Sequence, residues 1–283
     1  EVKSYGNLVA DVRGDVAGSL LTEGRTGEDL GGDLRLTTLG DFWGSAVADG
    51  SVALSVYGDL TGHAASNQSG IAIDAFGTVA PDGPLVATGP VEVLSWGLTR
   101  ADIDTQSYAT VFSGERFRGD VSAGGDVSID AGGSIVSNVI AENEDSATHA
   151  RVAVTAQGLY HGTIAAEGGV WIGADGNVVS DVTTDSGDVS VETPGDYRGT
   201  VAVAVGGDIR IRAATIDTGG SIATADGSAD LLALGRIDVD GAVAATRTAS
   251  LHAGAGLTAN VQLNDAGGRV SVVAGEAIDA LGV

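Results

Sequence analysis

The sequence lacks cysteine and methionine altogether, and it contains only 4 prolines among 283 residues. Without cysteine, neither disulfide bonds nor thiol chemistry contributes to stability or activity. Few prolines suit a chain rich in paired strands, because each proline removes one backbone donor from a ladder. Aromatic residues make up 4% of the chain, so the core is expected to consist of Val, Ile, Leu and Ala.

Positive charge is also scarce. The chain has 14 basic and 38 acidic residues, a formal net charge of −24, and Lys3 is its one lysine. Such a surface repels nucleic acids and anionic membranes. We therefore expect no nucleic-acid partner and no membrane insertion. The charge suits a protein that stays extended, binds divalent cations, or works at a salt concentration that screens its self-repulsion.

A short apolar pattern recurs about every twenty residues. It has apolar residues at i, i+2, i+8 and near i+12, and usually glycine at i+6. Position i+2 is apolar in every repeat, whereas position i+8 is polar at Thr99 and Asp217. The repeats, called coils 1 to 14 below, start at Leu8, Leu34, Val52, Ile71, Val91, Ala109, Val127, Val152, Val170, Val189, Ile209, Ala229, Ala249 and Val270.

The i, i+2 spacing is typical of a strand with alternate residues facing inward. Glycine at i+6 is expected to supply backbone freedom at a corner, after which second and third strands complete a triangle. A coil of this size cannot bury its inner face alone, so neighbouring coils must stack. The sequence predicts an all-β, right-handed parallel β-helix of about fourteen triangular coils of roughly 18–21 residues, two of them longer.

We expect residues 1–283 to form a single β-solenoid segment. The sequence starts without methionine or a signal segment and stops inside coil 14, and neither end shows a capping element. Solenoids need caps because open end coils invite strand addition. These features favour a piece of a longer protein, or a subunit that associates end to end.

Three segments carry a family resemblance. They are GDVSIDAGGSI at 125–135, GDVSVETPGDY at 187–197 and GDIRIRA at 207–213. They resemble the haemagglutinin-type repeats of bacterial filamentous exoproteins. The resemblance implies a right-handed β-helix in a secreted or cell-surface protein used for adhesion, in biofilms or as a stalk.

Two acidic groups are candidate calcium sites. In the longer coil 7, the segment 141–150 brings together Glu142, Glu144 and Asp145, although a solvated insertion is the simpler reading. At position i+7 of coils 1 to 3, Asp15, Asp41 and Asp59 are predicted to form an outward column. Carboxylates about 5 Å apart repel one another unless cations or water screen them. The alternative is a hydrated corner supported by aspartate.

Two tryptophans are candidate glycan contacts. Trp43 at i+9 and Trp171 at i+1 are predicted to point outward, where an aromatic ring can stack on a sugar or be covered by a loop.

Enzyme activity is not expected. The four histidines fall in different coils, and no Ser-His-Asp or two-histidine metal pattern is visible. The outward arginines are predicted to form ion pairs between coils, Arg210 with Asp230 and Arg212 with Glu192.

The sequence therefore favours a structural extracellular rod or filament segment of a bacterial adhesin-type protein, joined to neighbouring repeats of the same protein or end to end. A module that binds glycans or cations is the alternative, and a polysaccharide-active enzyme comes third. No cofactor is required, and calcium is the one ion considered.

Overall fold

The computed structural model describes residues 1–24, 31–143, 149–265 and 267–280. These residues form strands and turns with no helix, and the strands build a parallel β-solenoid of about 14 turns, as predicted. The chain divides into two compact units, Glu1–Ser137 and Asn138–Val283. That residues 1–283 form a single segment stays a prediction.

Unit 1 contains the first strands of coils 1 to 7, preceded by a short strand, Val2–Tyr5, that pairs with the end of coil 1. The first strands are Leu8–Val12, Leu34–Thr38, Val52–Val56, Ile71–Ala75, Val91–Ser95, Ala109–Ser113 and Val127–Ala131. Second and third strands run on as one in Val16–Glu23, Phe42–Ala48 and Leu60–Ser66. They are separate in Val79–Pro81 and Leu85–Ala87, Thr99–Arg100 and Ile103–Thr105, Phe117–Arg118 and Val121–Ala123, and Ile135–Val136 stands alone as a second strand.

Unit 2 begins with the third strand of coil 7, Val139–Ala141. The first strands of coils 8 to 14 are Val152–Ala156, Val170–Ala174, Val189–Glu192, Ile209–Ala213, Ala229–Ala233, Thr248–Ala253 and Arg269–Ala274. Continuous second and third strands are Tyr160–Ala166, Val178–Ser186, Ile237–Ala245 and Leu257–Leu263. Separate ones are Asp196–Arg198 and Val201–Val205, Thr215–Thr218 and Ile222–Thr224, and the second strand Ile278–Ala280.

Coils stack in register, so that each repeat position forms a column along the solenoid. In unit 1, Val91 and Val93 pair with Ile71 and Ile73 of the preceding coil. All four side chains are at most 2% exposed. The predicted inward positions therefore form the core, which is held by backbone ladders between neighbouring coils.

The second corner differs from the predicted break between strands. In coils 1 to 3, one strand bends through this corner at Gly18, Gly44 and Gly62, whose φ angles are 127°, 156° and 129°. Positive φ is strained for residues with a side chain. The glycines thus allow the chain to turn without losing the ladder, which continues through the Gly44–Gly62 pair.

Coil 11 is one residue shorter at its first corner. Ile216, at i+7, pairs with Tyr197 and Ile237 and is fully buried. It takes the inward place that the repeat rule assigns to Asp217. The polar exception at Asp217 is thus a shift of register, and its carboxylate points outward to Arg236, 3.4 Å away.

Candidate functional site

The predicted aspartate column forms hydrogen bonds from coil to coil. Asp15 Oδ1 accepts the backbone N–H of Asp41 at 3.0 Å, and Asp41 Oδ1 accepts that of Asp59 at 2.8 Å. Asp59 Oδ1 accepts the N–H of Thr78 at 2.7 Å. Each carboxylate thus ties its own corner to the same corner of the next coil.

Glycine at i+6 serves this contact. Gly40, Gly58 and Gly77 have no positive φ, so the predicted reason for these glycines, backbone freedom, is wrong. A Cβ atom at each of them would collide with the aspartate carboxylate of the preceding coil. Glycine is needed because it leaves room for the acceptor.

The same contact occurs at all three corners, and we call the whole set the corner ladder. In each pair, Oδ1 of an Asp or Asn accepts the N–H of the residue at the same repeat position in the next coil. The further donor and acceptor pairs are Asp33 to Asn7, Ser51 to Asp33, Asp120 to Asp102, Thr163 to Asn138, Asp196 to Asn177, Thr200 to Asp181, Asp208 to Asp188 and Ser228 to Asp208.

Asparagine replaces aspartate in three members of the corner ladder, Asn7, Asn138 and Asn177. An amide oxygen accepts a hydrogen bond as a carboxylate oxygen does, but carries no charge. The contact therefore depends on the acceptor and not on the charge.

Calcium binding by Asp15, Asp41 and Asp59 stays a prediction. In the part of the chain that the structure describes, no three His, Cys, Asp or Glu side chains are grouped so that they could hold a metal ion. Of the other predicted group, Glu142 follows the third strand of coil 7, whereas Glu144 and Asp145 lie outside the described residues.

The two predicted tryptophans are both exposed. Trp43 is 43% exposed and lies between Ala17 and Thr61 of the neighbouring coils. Trp171 is 40% exposed and pairs with Ser190 of the next coil. Its indole lies over Gly173, because a Cβ there would meet the outer edge of the ring. A small residue two positions along the strand thus lets this ring lie against the sheet.

A polar groove lies beside Trp171 on the outer face of unit 2. It encloses about 420 Å³, within the size range of ligand pockets. Ser190, the strand neighbour of Trp171, is part of its wall. The groove is lined by Asp188, Val189, Ser190, Asp208, Ile209, Arg210, Ser228, Asp230, Thr248 and Ser250.

The groove owes its form to two columns of side chains. The corner residues before the first strands supply Asp188 and Asp208, whose Oδ1 atoms are held in the corner ladder. The outward i+1 positions supply hydroxyl, guanidinium and carboxylate groups at the spacing of neighbouring strands, about 4.8 Å. Such a surface matches an extended ligand with repeated hydroxyl groups.

Both predicted ion pairs are confirmed. Arg210 Nε lies 3.8 Å from Asp230 Oδ2, and Arg212 Nη1 lies 3.7 Å from Glu192 Oε1. All four side chains are about half exposed, so water screens these pairs and they add little stability. Arg210 and Asp230 are thus available to a ligand in the polar groove.

Two buried tyrosines belong to the core. Burial raises the pKa of Tyr160 and of Tyr197. The Tyr197 hydroxyl donates to the carbonyl oxygen of Ser180, 3.1 Å away. Both phenols are neutral at pH 7 and fill the i+8 column.

Reading one coil at a time misses the polar groove. Its residues come from four coils and have ordinary surface chemistry, so no local motif reveals them. Aligning the coils and following positions i−1 and i+1 brings Asp188, Asp208, Arg210 and Asp230 together. The sequence pattern placed Arg210 next to Asp230, but it did not join that pair to the corner residues Asp188 and Asp208.

Compared with family models, curated proteins and solved structures, the chain matches none of them. Within the described ranges, no helix is long and apolar enough to cross a membrane. The fold itself is that of a β-helix repeat protein.

Proposed function

We propose that the chain is a structural segment of an extracellular, adhesin-type bacterial surface protein, which spaces or presents other parts of that protein. The observation that carries this proposal is the corner ladder. It adds side-chain links between coils to a backbone ladder that already joins them, so these Asp and Asn side chains hold one coil on the next.

The composition supports the same role. The repeated segments resemble haemagglutinin-type repeats, and a charge of −24 keeps an extended protein apart from other acidic surfaces. Neighbouring repeats of the same protein, or a second copy placed end to end, are the proposed partners. Calcium bound between acidic side chains is a further proposal.

Electron microscopy of the native material tests this proposal, with and without a calcium chelator. The expected image is a filament at the cell surface with an axial repeat near 4.8 Å. If the filament loses its order when calcium is chelated, calcium binding between the acidic side chains is supported. Labelling that is confined to the cell interior, or protein that is present only as isolated short particles, contradicts the structural role.

The polar groove of unit 2 favours a second function, glycan binding without cleavage. Ser190, Ser228, Thr248 and Ser250 supply hydroxyls, and Trp171 offers an exposed ring beside Ser190 at one end of the groove. Polar side chains next to an aromatic ring are a common arrangement for recognising a polar ligand with an apolar face.

Calorimetric titration with neutral oligosaccharides tests the second function. Trp171→Ala is expected to abolish measurable heat, and Arg210→Ala to weaken binding. Leu39→Ala is the control, since Leu39 is an exposed apolar side chain in unit 1. Equal loss in the Trp171 and Leu39 variants, or release of shorter sugars during incubation, contradicts it.

A further inference from the structure

We propose that four neighbouring aromatic side chains on one edge of unit 1 form a binding site for planar aromatic cations. These residues, called the aromatic ladder, are Tyr57, Phe76, Trp96 and Phe112. The rings of Tyr57 and Phe76 are nearly parallel, with centroids 4.9 Å apart and planes 12° apart. Phe76 and Trp96 stack at 6.4 Å, and Phe112 meets Trp96 edge to face at 5.8 Å.

Register between coils produces this arrangement. Tyr57, Phe76 and Trp96 each follow the last residue of a first strand, at position i+5. Their backbone N–H groups donate to the preceding coils, to the carbonyls of Thr38, Val56 and Ala75 at 3.0 Å each. The rings are thus held one coil apart, close to the strand spacing of about 4.8 Å.

The aromatic ladder ends in coil 6 for a steric reason. Position i+5 there is Gly114, where a Cβ atom would collide with the carbonyl oxygen of Trp96. Phe112, two residues earlier on the same strand, supplies the last ring instead.

The aromatic ladder is exposed, although aromatic residues are rare in this chain. Tyr57, Phe76 and Trp96 are 54%, 54% and 55% exposed. The chain has 3 Trp, 5 Tyr and 4 Phe, so the aromatic ladder contains a third of its aromatic residues. At 150–250 Å² for a whole side chain, the exposed rings present on the order of 300 Å² of apolar surface. Patches of this size on a single protein mark interaction sites.

The charge around the aromatic ladder selects the ligand. Residues 52–126, the four coils that carry the aromatic ladder, contain nine carboxylates, three arginines and no lysine. Two of the carboxylates, Asp59 and Asp74, are exposed and lie two residues from Tyr57 and Phe76 respectively. A cation is attracted by these carboxylates. An anionic ligand is repelled.

The geometry also selects the ligand's shape. Because Tyr57 and Phe76 cover each other's faces, they do not offer two separate platforms for sugar rings. What remains is a continuous apolar ridge of ring edges along several coils. A planar aromatic body laid along this ridge can contact several rings at once. This site is separate from the polar groove and does not depend on the proposed functions.

Fluorescence titration with thioflavin T, a planar aromatic cation, tests the proposal. In a Trp43→Phe, Trp171→Phe background, Trp96 is the one tryptophan left. Saturable quenching of its emission is expected. Phe76→Leu, which keeps an apolar side chain but removes the ring, is expected to weaken the affinity about tenfold.

Two comparisons make the test decisive. Leu234→Ala removes an isolated surface side chain of unit 2, 80% exposed, and is expected to leave the affinity unchanged. The anionic dye 1-anilinonaphthalene-8-sulfonate is expected not to quench Trp96. Circular dichroism shows whether each variant is folded. Quenching that is insensitive to Phe76→Leu in folded protein, absence of saturable quenching, or equal affinity for the anionic dye would overturn the proposal.

Discussion

Corner aspartates act in this protein mainly as hydrogen-bond acceptors. Asp41 shows the arrangement best, since its Oδ1 accepts the N–H of Asp59 while its own N–H donates to Asp15. Much of the acidic composition is therefore connected with the fold. The strong negative charge is thus linked to the repeated use of aspartate as the acceptor for backbone N–H groups at the corners.

Substitution of Asp41 separates the acceptor from the charge. Asp41→Asn is expected to leave the free energy of unfolding unchanged, because the amide oxygen accepts the same hydrogen bond. Asp41→Ala is expected to cost about 1 kcal/mol. Urea unfolding measures both. An asparagine variant as unstable as the alanine variant would show that the charge matters.

Asp49 gives stability that depends on pH. The backbone N–H of Gly24, 2.8 Å away, and then the Asn67 amide hold the pKa of Asp49 below its usual 3.8. Because the folded-state pKa is the lower one, this stabilisation is present above pH 3.8 and is lost as the pH falls through the folded value.

The corresponding measurement is urea unfolding of the native protein and of Asp49→Ala from pH 6 to pH 2. The difference in unfolding free energy between them is expected to be constant near neutral pH and to shrink below about pH 4. A difference that grows on acidification contradicts the assignment.

Thr99 is the one polar residue at a buried i+8 position among the described coils. It pairs with Val79 and Phe117, and its buried hydroxyl has no hydrogen-bond partner. Valine has the same shape without the polar group. Thr99→Val is therefore expected to raise the free energy of unfolding by about 1 kcal/mol, measured by thermal or urea unfolding. Thr105→Val is the control, because the Thr105 hydroxyl donates to Gly89, and this variant is expected to lose stability.

At the corners, glycines serve two purposes. At i+6 they leave room for the carboxylate of the preceding coil, and at the second corner of coils 1 to 3 they allow a positive φ. Gly62 needs its positive φ of 129°, and a Cβ there would also collide with the carbonyl of Gly44. Gly62→Ala is expected to cost more than about 2 kcal/mol. Gly83→Ala is the control, since its Cβ would meet only His63 Nδ1 at 3.7 Å. Urea unfolding of both compares them, and equal stabilities would contradict the role of Gly62.

The strand pattern was predictable because it depends on local alternation of apolar side chains. Leu34 and Leu36, for example, are inward and 1% exposed, as the i, i+2 rule requires. The reason for glycine at i+6 was not predictable from one coil, because the side chain that it accommodates belongs to the coil before. The shift at Ile216 was missed because a rule of fixed spacing assigns position i+8 to Asp217.

The candidate sites also differ in whether one coil or several stacked coils are needed to predict them. The exposure of Trp43 and Trp171 follows from their positions in a single strand. The polar groove and the aromatic ladder require the register of four coils, and register is a property of the stacked structure. Following position i+5 through the aligned coils would have brought Tyr57, Phe76 and Trp96 together.

For the whole molecule, a charge of −24 implies self-repulsion in the folded state. Raising NaCl from about 10 mM to about 0.3 M shortens the range of this repulsion severalfold. The thermal unfolding midpoint is expected to rise with salt.

A matched variant identifies the source of the salt effect. Asp74→Asn, Asp104→Asn and Asp130→Asn together remove three outward strand charges, and the rise with salt is expected to be smaller in this variant. Scanning calorimetry at several salt concentrations measures both proteins. A midpoint that is independent of salt in the native protein would show that its charges are already neutralised.

The corner ladder also has an evolutionary consequence. Each of its links joins a coil to the next through a backbone amide, and any residue except proline has one. The link needs room for the acceptor, which glycine provides just before Asp41, Asp59 and Thr78, but it places almost no demand on the donor residue itself. A whole coil can be duplicated or lost with every remaining amide still accepted, whereas the gain or loss of a single residue within a strand moves side chains between the core and the surface. Selection can thus change the number of coils in whole steps without redesigning any one of them.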